Sequence, residues 1–269
     1  MKILLTGYKG FIGQNLYNFL SENINCIIDT FEWGEPFKGV RGYDWVIHLG
    51  AISSTTEKNI DKILKQNTEF TNNLFDECKK YNVNFQFASS ASLYGQNNCF
   101  KEDSELDPIT PYAWSKLLSE RYIINNLGTH NVHIFRYFNV YGNNEGHKKS
   151  QASPVTQFRY QSRVNNKIKL FYNSEKVYRD FICVTDVCRI HLEFIKKMPK
   201  SGIYNVGTGS TYSFKQIADL INPNHYYVER PNNLQRSYQN FTQSDNTKLM
   251  SVLGKQKYIS IENFLENNS

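Results

Sequence analysis

Cysteine is scarce in this 269-residue chain and is not arranged for chemistry. Cys26, Cys78, Cys99, Cys183 and Cys188 make an odd count with no Cys-x-x-Cys spacing. That argues against a disulfide framework and a structural zinc, and for reduced thiols in a cytosol; no metal is implied. No stretch approaches the ~18 continuous apolar residues of a membrane span, and the amino end shows no signal-peptide pattern. A cytoplasmic protein without a membrane partner is expected. Concentrated charge is also lacking. The net charge of +6 is spread along the chain, with His147-Lys148-Lys149 as its densest patch. Nucleic-acid binding needs a basic stripe, whereas a mild excess suits a small anion such as a nucleotide. Internal repeats, long linkers and low-complexity segments are absent.

What is present is alternation. Lys2 to Thr6 is a short apolar run, followed by glycines at 7, 10 and 13 and an amphipathic stretch from Gln14 to Ser21. Strand, glycine loop and helix in that order place an anion at a helix N-terminus, with glycines allowing a tight turn and close backbone approach to a pyrophosphate. The alternative is a plain glycine-rich turn. Asp29, at the end of the run Cys26 to Asp29, stands near the position that hydrogen-bonds an adenosine ribose and favours NAD; the alternative is a strand-end cap. Asp44 to Leu49 is a buried strand running into the small-residue loop from Gly50, and His48 within it reads as a core imidazole. A helical pattern from Asp61 to Tyr81, a strand from Asn84, a helix from residue 111 to 127 and a strand Val132 to Tyr137 follow. The fold class is α/β, a Rossmann-like doubly wound parallel sheet, because such alternation demands helices on both faces.

The chemistry centres on Ser90, Tyr112 and Lys116. On a helix, a spacing of four puts the phenol and the ammonium on one face. A lysine there is expected to lower the tyrosine pKa, so that the phenol exchanges protons with an alcohol near neutral pH while Ser90 hydrogen-bonds the same oxygen. Tyr-x-x-x-Lys alone is equally an exposed helix pair.

With the glycine loop, these three residues, Arg136 to Gly142, Arg179 to Val187 and Gly202 to Gly209 all in order, the chain resembles the extended short-chain dehydrogenase/reductase superfamily over nearly its full length. Its nucleotide-sugar epimerases and dehydratases are the nearest members. Ser53 to Glu57, Phe138 to Lys148 and Tyr238 to Gln243 are similar to the ADP-glyceromanno-heptose 6-epimerase family. The resemblance implies epimerisation by transient oxidation of a carbinol to a ketone and return of hydride, with NAD or NADP as cofactor and a nucleotide sugar as substrate.

It implies Ser90, Tyr112, Lys116 and Lys148 as catalytic residues, Lys148 being the second acid/base group; a solvated loop lysine is the alternative. Gly7, Gly10, Phe11, Ile12, Gly13, Asp29, Leu49, Gly50, Ala51, Ser53, Asn67, Tyr112, Lys116 and Val140 are implied cofactor contacts. Implied substrate contacts are Ser90, Asn139, Ser150, Gln157 (where the family tends to have histidine), Phe171, Tyr172, Asn173, Ser174, Arg179 and Tyr238. Arg179 suits a diphosphate, or alternatively a surface ion pair; Tyr238 is core or substrate-facing. Family use of NADP would need Lys38 or Arg41 at the 2′-phosphate.

Only one loop fits between Asp29 and Asp44, so the sheet is expected to be shortened between its second and fourth strands. The expected organisation is a Rossmann domain over residues 1–142, completed by about 181–210, with a small C-terminal α/β substrate lobe over 143–180 and 211–269. A homo-oligomer is common in the resembling family. Two other functions compete: another nucleotide-sugar 4-epimerase or dehydratase, and a non-catalytic nicotinamide-binding sensor or scaffold. Ala91-Ser92 offers no acid pair of the kind dehydratases carry after the Ser/Thr.

Overall fold

A computed structural model describes residues 1–54, 57–231 and 239–268, arranged as two compact units. Thr55, Thr56 and Tyr238 lie outside the described residues. No helix among those described is long and apolar enough to cross a membrane.

The first unit comprises Met1–Leu93, Pro108–Tyr137 and Cys188–Tyr204. Its strands are β1 (Lys2–Thr6), β2 (Ile27–Phe31), β3 (Trp45–His48), β4 (Asn84–Ser90) and β5 (Val132–Tyr137). The sheet runs β2-β1-β3-β4-β5 and then the strand Gly202–Val206. The pairs β1 to β2, β1 to β3, β3 to β4 and β4 to β5 are all parallel. All residues of β3 and β5 are buried, as expected of strands covered on both faces. β2 is the edge, with Ile27 exposed, and residues 32–44 form no strand beyond it. The sheet is therefore shortened as the short spacing between Asp29 and Asp44 requires.

Helices α1 (Phe11–Asn23), α2 (Ile60–Ile63), α3 (Phe70–Tyr81) and α4 (Pro111–Asn125) connect these strands. Thr110 caps α4 by accepting the Ala113 amide, and Pro111 opens its first turn, where a missing N–H costs nothing. The expected single helix from Asp61 to Tyr81 is instead interrupted by a π-helical turn, Leu64–Glu69. Leu4, Val46, Phe75, Phe85, Phe87 and Ile134 are central to the core of this unit. Each such side chain is worth about 1.5–3 kcal/mol when fully buried.

The second unit comprises Tyr94–Asp107, Phe138–Val187 and Asn205–Ser269. It takes in residues 94–107 and resumes at Phe138, whereas the sequence suggests a boundary after residue 142. A four-stranded sheet centres on Tyr178–Cys183, joined by Asn139–Tyr141, Thr211–Ser213 and Phe241–Thr242, and Ile168–Phe171 pairs with His225–Val228. Helix α5 (Pro154–Asn165) starts at Ser153, whose side chain accepts the Thr156 amide. Tyr141, Phe158, Phe181, Ile217 and Phe264 are central to its core.

Candidate functional site

In the first unit the loops after β1 and β3 are pressed together. Gly7 has φ +72°, and a Cβ there would lie 2.5 Å from the Gly50 nitrogen; at Gly13 it would lie 2.1 Å from the Gly7 carbonyl oxygen. Gly10 is the N-cap of α1, contributes no side-chain cap, and is followed by no acid in the first turn. The first amides of α1 thus meet no capping side chain and no acid within their own turn. That fits the pyrophosphate of a dinucleotide. Beside it a cavity is lined by Gly7, Phe31, Glu32, Trp33, Gly50 and Phe70. Phe11 and Ile12 open α1 directly after the first of these loops, and Leu49, Ala51 and Ser53 fall on the second.

Asp29 is not among the cavity's lining residues. It sits two residues short of the end of β2, pairs with Lys2 at 3.0 Å and accepts the Tyr43 hydroxyl at 2.7 Å. Those bonds, Tyr43 first, hold its carboxyl below the usual range, while burial and the same carboxylate push Tyr43 up to about 12. The acid at the cavity is Glu32, which follows the last residue of β2 and accepts the Lys9 amide of the glycine turn at 3.1 Å. The signal for it lay in the spacing. Glu32 stands 19 residues after Gly13, against 16 for Asp29, and a separation of about 20 is usual for the ribose-binding acid.

Ser90 ends β4 and Tyr112 and Lys116 lie on α4, so strand end and helix bring together what the sequence separates. The Ser90 hydroxyl hydrogen-bonds the Tyr112 phenol. Lys116 is 2% exposed, donates to the Ala88 carbonyl at 2.7 Å and lies 4.6 Å from the centre of the Phe87 ring. Burial pulls its pKa down to about 7, against the attraction of Glu120. One turn beyond Lys116, Glu120 meets Arg136 at 2.7 Å with both side chains 2% exposed. Tyr112 differs from expectation. Burial raises its pKa, and the bond from Ser90 is what opposes the rise. The Lys116 charge is spent on Ala88 and Phe87 rather than on the phenol.

Asn67, expected at the cofactor, is fully buried in the π-helical turn. Its amide accepts the Ile52 N–H at 2.8 Å and donates to the Ile52 carbonyl and the Ser115 hydroxyl, both at 3.0 Å. It therefore fastens the loop after β3 to α4. His48 is the core imidazole that the sequence suggests, held by Thr6 at 2.6 Å and Thr71 at 2.8 Å, and burial pulls its pKa to about 3.

In the second unit, Val140 lies in a strand and Asn139 beside it donates to the Asp180 carbonyl at 3.3 Å. Gln157 reaches back to the Ser150 and Ala152 carbonyls at 3.2 and 2.6 Å, so those two expected contacts are neighbours. Phe171, Tyr172, Asn173 and Ser174 form a strand-end turn, with Tyr172 stacked on Tyr227 at 5.7 Å and Ser174 buried. Arg179 is 7% exposed, donates to the Tyr178 and Gln239 carbonyls and covers Phe214. Lys148 pairs with Glu145 at 3.6 Å.

Comparison with known proteins places this geometry. The ADP-L-glycero-D-manno-heptose-6-epimerase of Helicobacter pylori is 24% identical, over 99% of this chain and 94% of that one, with a TM-score of 0.86. The UDP-glucose 4-epimerase of Thermotoga maritima, solved with UDP-glucose, is 23% identical over 99% and 96%, with a TM-score of 0.84. The protein RMD of Pseudomonas aeruginosa, solved with NADPH, is 22% identical over 98% and 96%, with a TM-score of 0.80. These likenesses show a shared Rossmann-like α/β fold. A model of the NAD dependent epimerase/dehydratase family matches residues 24–207, more than half of the chain and including Ser90, Tyr112 and Lys116, and the chain belongs to that family.

Proposed function

We propose that the protein is a nucleotide-sugar epimerase that uses a nicotinamide dinucleotide, with a substrate resembling that of the ADP-heptose 6-epimerases. The cofactor, when bound, takes hydride from a carbinol carbon and returns it to the opposite face of the resulting ketone. Without an adjacent carbonyl that carbon has no acidic hydrogen, so inversion by simple deprotonation is closed to it.

The observation that carries the reading is the Ser90 bond to Tyr112. A phenol raised by burial is a proton donor at neutral pH, and it becomes an acceptor only once a cation comes near it. Lys116, one turn along and with a pKa near 7, can supply that charge by releasing Ala88. Ser90 holds the substrate oxygen in line with the phenol. Tyr112 exchanges the hydroxyl proton of one epimer and Lys148 that of the other. The amides after Gly10 hold the pyrophosphate, and Glu32 hydrogen-bonds the adenosine ribose, which favours NAD over NADP. Arg179, Asn139, Ser150, Gln157, the turn from Phe171 to Ser174 and Tyr238 contact the sugar nucleotide. The protein works in the cytoplasm as a homo-oligomer.

The test is incubation with NAD and a panel of ADP-, GDP- and UDP-sugars, with both epimers followed by proton NMR. Interconversion of ADP-heptose epimers, abolished by Tyr112→Phe, is expected. Turnover of UDP-hexoses alone would overturn the assignment to ADP-heptose, and loss of water from the sugar would make the protein a dehydratase.

A further inference from the structure

Glu145 is 1% exposed, although Asn144 and Gly146 on either side of it are exposed. Its carboxylate accepts the Ser153 amide at 2.6 Å, the Ser153 hydroxyl at 2.6 Å and the Thr156 hydroxyl at 2.7 Å. Ser153 is the N-cap of α5, so the charge lies at the positive end of a helix. The same carboxylate faces the Lys148 ammonium at 3.6 Å, and the Glu145 carbonyl accepts the Lys148 amide at 3.0 Å. The loop closes through a backbone that resists it. Lys149 has φ +50° and ψ −118°, a conformation that persists only where its surroundings impose it.

Burying a carboxylate is costly, and an uncharged side chain could staple this loop to α5 without that cost. What a neutral group could not supply is a countercharge for the Lys148 ammonium. We propose that Glu145 is a positioning residue for Lys148: it anchors the loop Gly146–Gln151 to the start of α5 and fixes the ammonium where it exchanges a proton with one epimer of the substrate. The inference rests on the reading of Lys148 as an acid/base group, and goes beyond it by naming the group through which that lysine is placed.

If Tyr112 and Lys148 serve opposite epimers, damage on the Lys148 side is one-sided. The experiment is single-turnover oxidation of each member of the epimer pair by NAD-loaded protein, with the pair taken from the ADP-, GDP- and UDP-sugars that the wild type interconverts. Lys148→Ala should slow one epimer by about 100-fold or more and spare the other. Glu145→Gln should slow the same epimer by about 10-fold and leave the other within about twofold, and Glu145→Asp should recover part of the loss. Independently of turnover, amide hydrogen exchange over residues 146–153 should rise in Glu145→Gln and stay at the wild-type level in Lys148→Ala.

Thr156→Val removes only one of the hydroxyls that hold the carboxylate. It should give a smaller loss on the same epimer, and it serves in place of Glu145→Gln if that variant does not fold. A Glu145→Gln or Thr156→Val protein that slows both epimers equally, or neither, beside a one-sided Lys148→Ala overturns the positioning role and leaves the reading of Lys148 standing. Lys148→Ala that is silent or even-handed, or a wild type that turns over none of the panel, overturns both.

Discussion

Lys116 and Ala88 are joined by a 2.7 Å hydrogen bond from ammonium to carbonyl, made by a side chain almost wholly out of water. Ala88 precedes Ser90 on β4, and Lys116 follows Tyr112 on α4. The bond therefore ties the strand that delivers the serine to the helix that delivers the tyrosine.

The buried lysine makes stability depend on pH in a direction opposite to that of a salt-bridged base. Its pKa falls from 10.5 to about 7 on folding. Below pH 7 both states carry the charge and the folded state bears the full cost of burying it; above 10.5 neither does. The wild type thus gains stability as pH rises through that window, by on the order of 3–5 kcal/mol at most. Lys116→Met lacks this gain. Urea unfolding at pH 6.5 and 9.5 should show the variant faring relatively better at the lower pH, and a difference independent of pH would be the contrary result.

Glu120 and Arg136 form a fully buried ion pair beside that lysine. Arg136→Ala leaves a carboxylate without its cation and should cost about 3–5 kcal/mol, whereas replacing both residues by Met and Leu should cost far less. Denaturant midpoints of the three proteins decide it. Equal losses in the single and double variants would mean that packing, not charge, sets the cost.

The sheet was legible because its signals are local. β5 runs from Val132 to Tyr137 as its buried apolar pattern requires, and the missing strand after β2 follows from counting residues between Asp29 and Asp44. Tyr112 and Lys116 lie on one helix at a spacing of four, as the sequence suggests, whereas Ser90 comes to them from the end of β4. The rest depends on what meets what in space. No periodicity distinguishes a π-helical turn at Leu64–Glu69 from α-helix, so the burial of Asn67 and its grip on Ile52 could not be read from the chain. Nor could the rise of the Tyr112 phenol, since it follows from desolvation rather than from its helical neighbour. β2 runs two residues past Asp29, to Phe31, and an edge strand with so little hydrophobic pattern carries no local signal of where it ends.

The position of Glu32 just beyond that strand end gives a prediction. Glu32 lines the cavity beside the glycine turn, while Asp29 is taken up by Lys2 and Tyr43. Glu32→Gln should weaken NAD binding by about 10-fold, the loss of a charge-assisted hydrogen bond, and narrow any preference over NADP. Asp29→Asn should leave NAD affinity within about twofold. Quenching of Trp33 fluorescence, which reports from the same cavity, measures both. The opposite ranking would return the ribose to Asp29.

The glycine turn itself yields a graded test. A Cβ at Gly13 would come within 2.1 Å of the Gly7 carbonyl oxygen, a collision of backbone with backbone that no rotamer relieves; at Gly10 it would stand 3.2 Å from the same atom. Gly10→Ala needs a shift of a few tenths of an ångström, whereas Gly13→Ala must push α1 away from β1 or open the turn. The first should cost under about 1 kcal/mol of stability and keep most NAD affinity, and the second about 1–3 kcal/mol or more with at least tenfold weaker binding. Titration of each variant with NAD, alongside its urea midpoint, separates them. If Gly13→Ala retained wild-type affinity, close approach of these two backbones would have no part in holding the pyrophosphate, and the amides after Gly10 would lose their assignment.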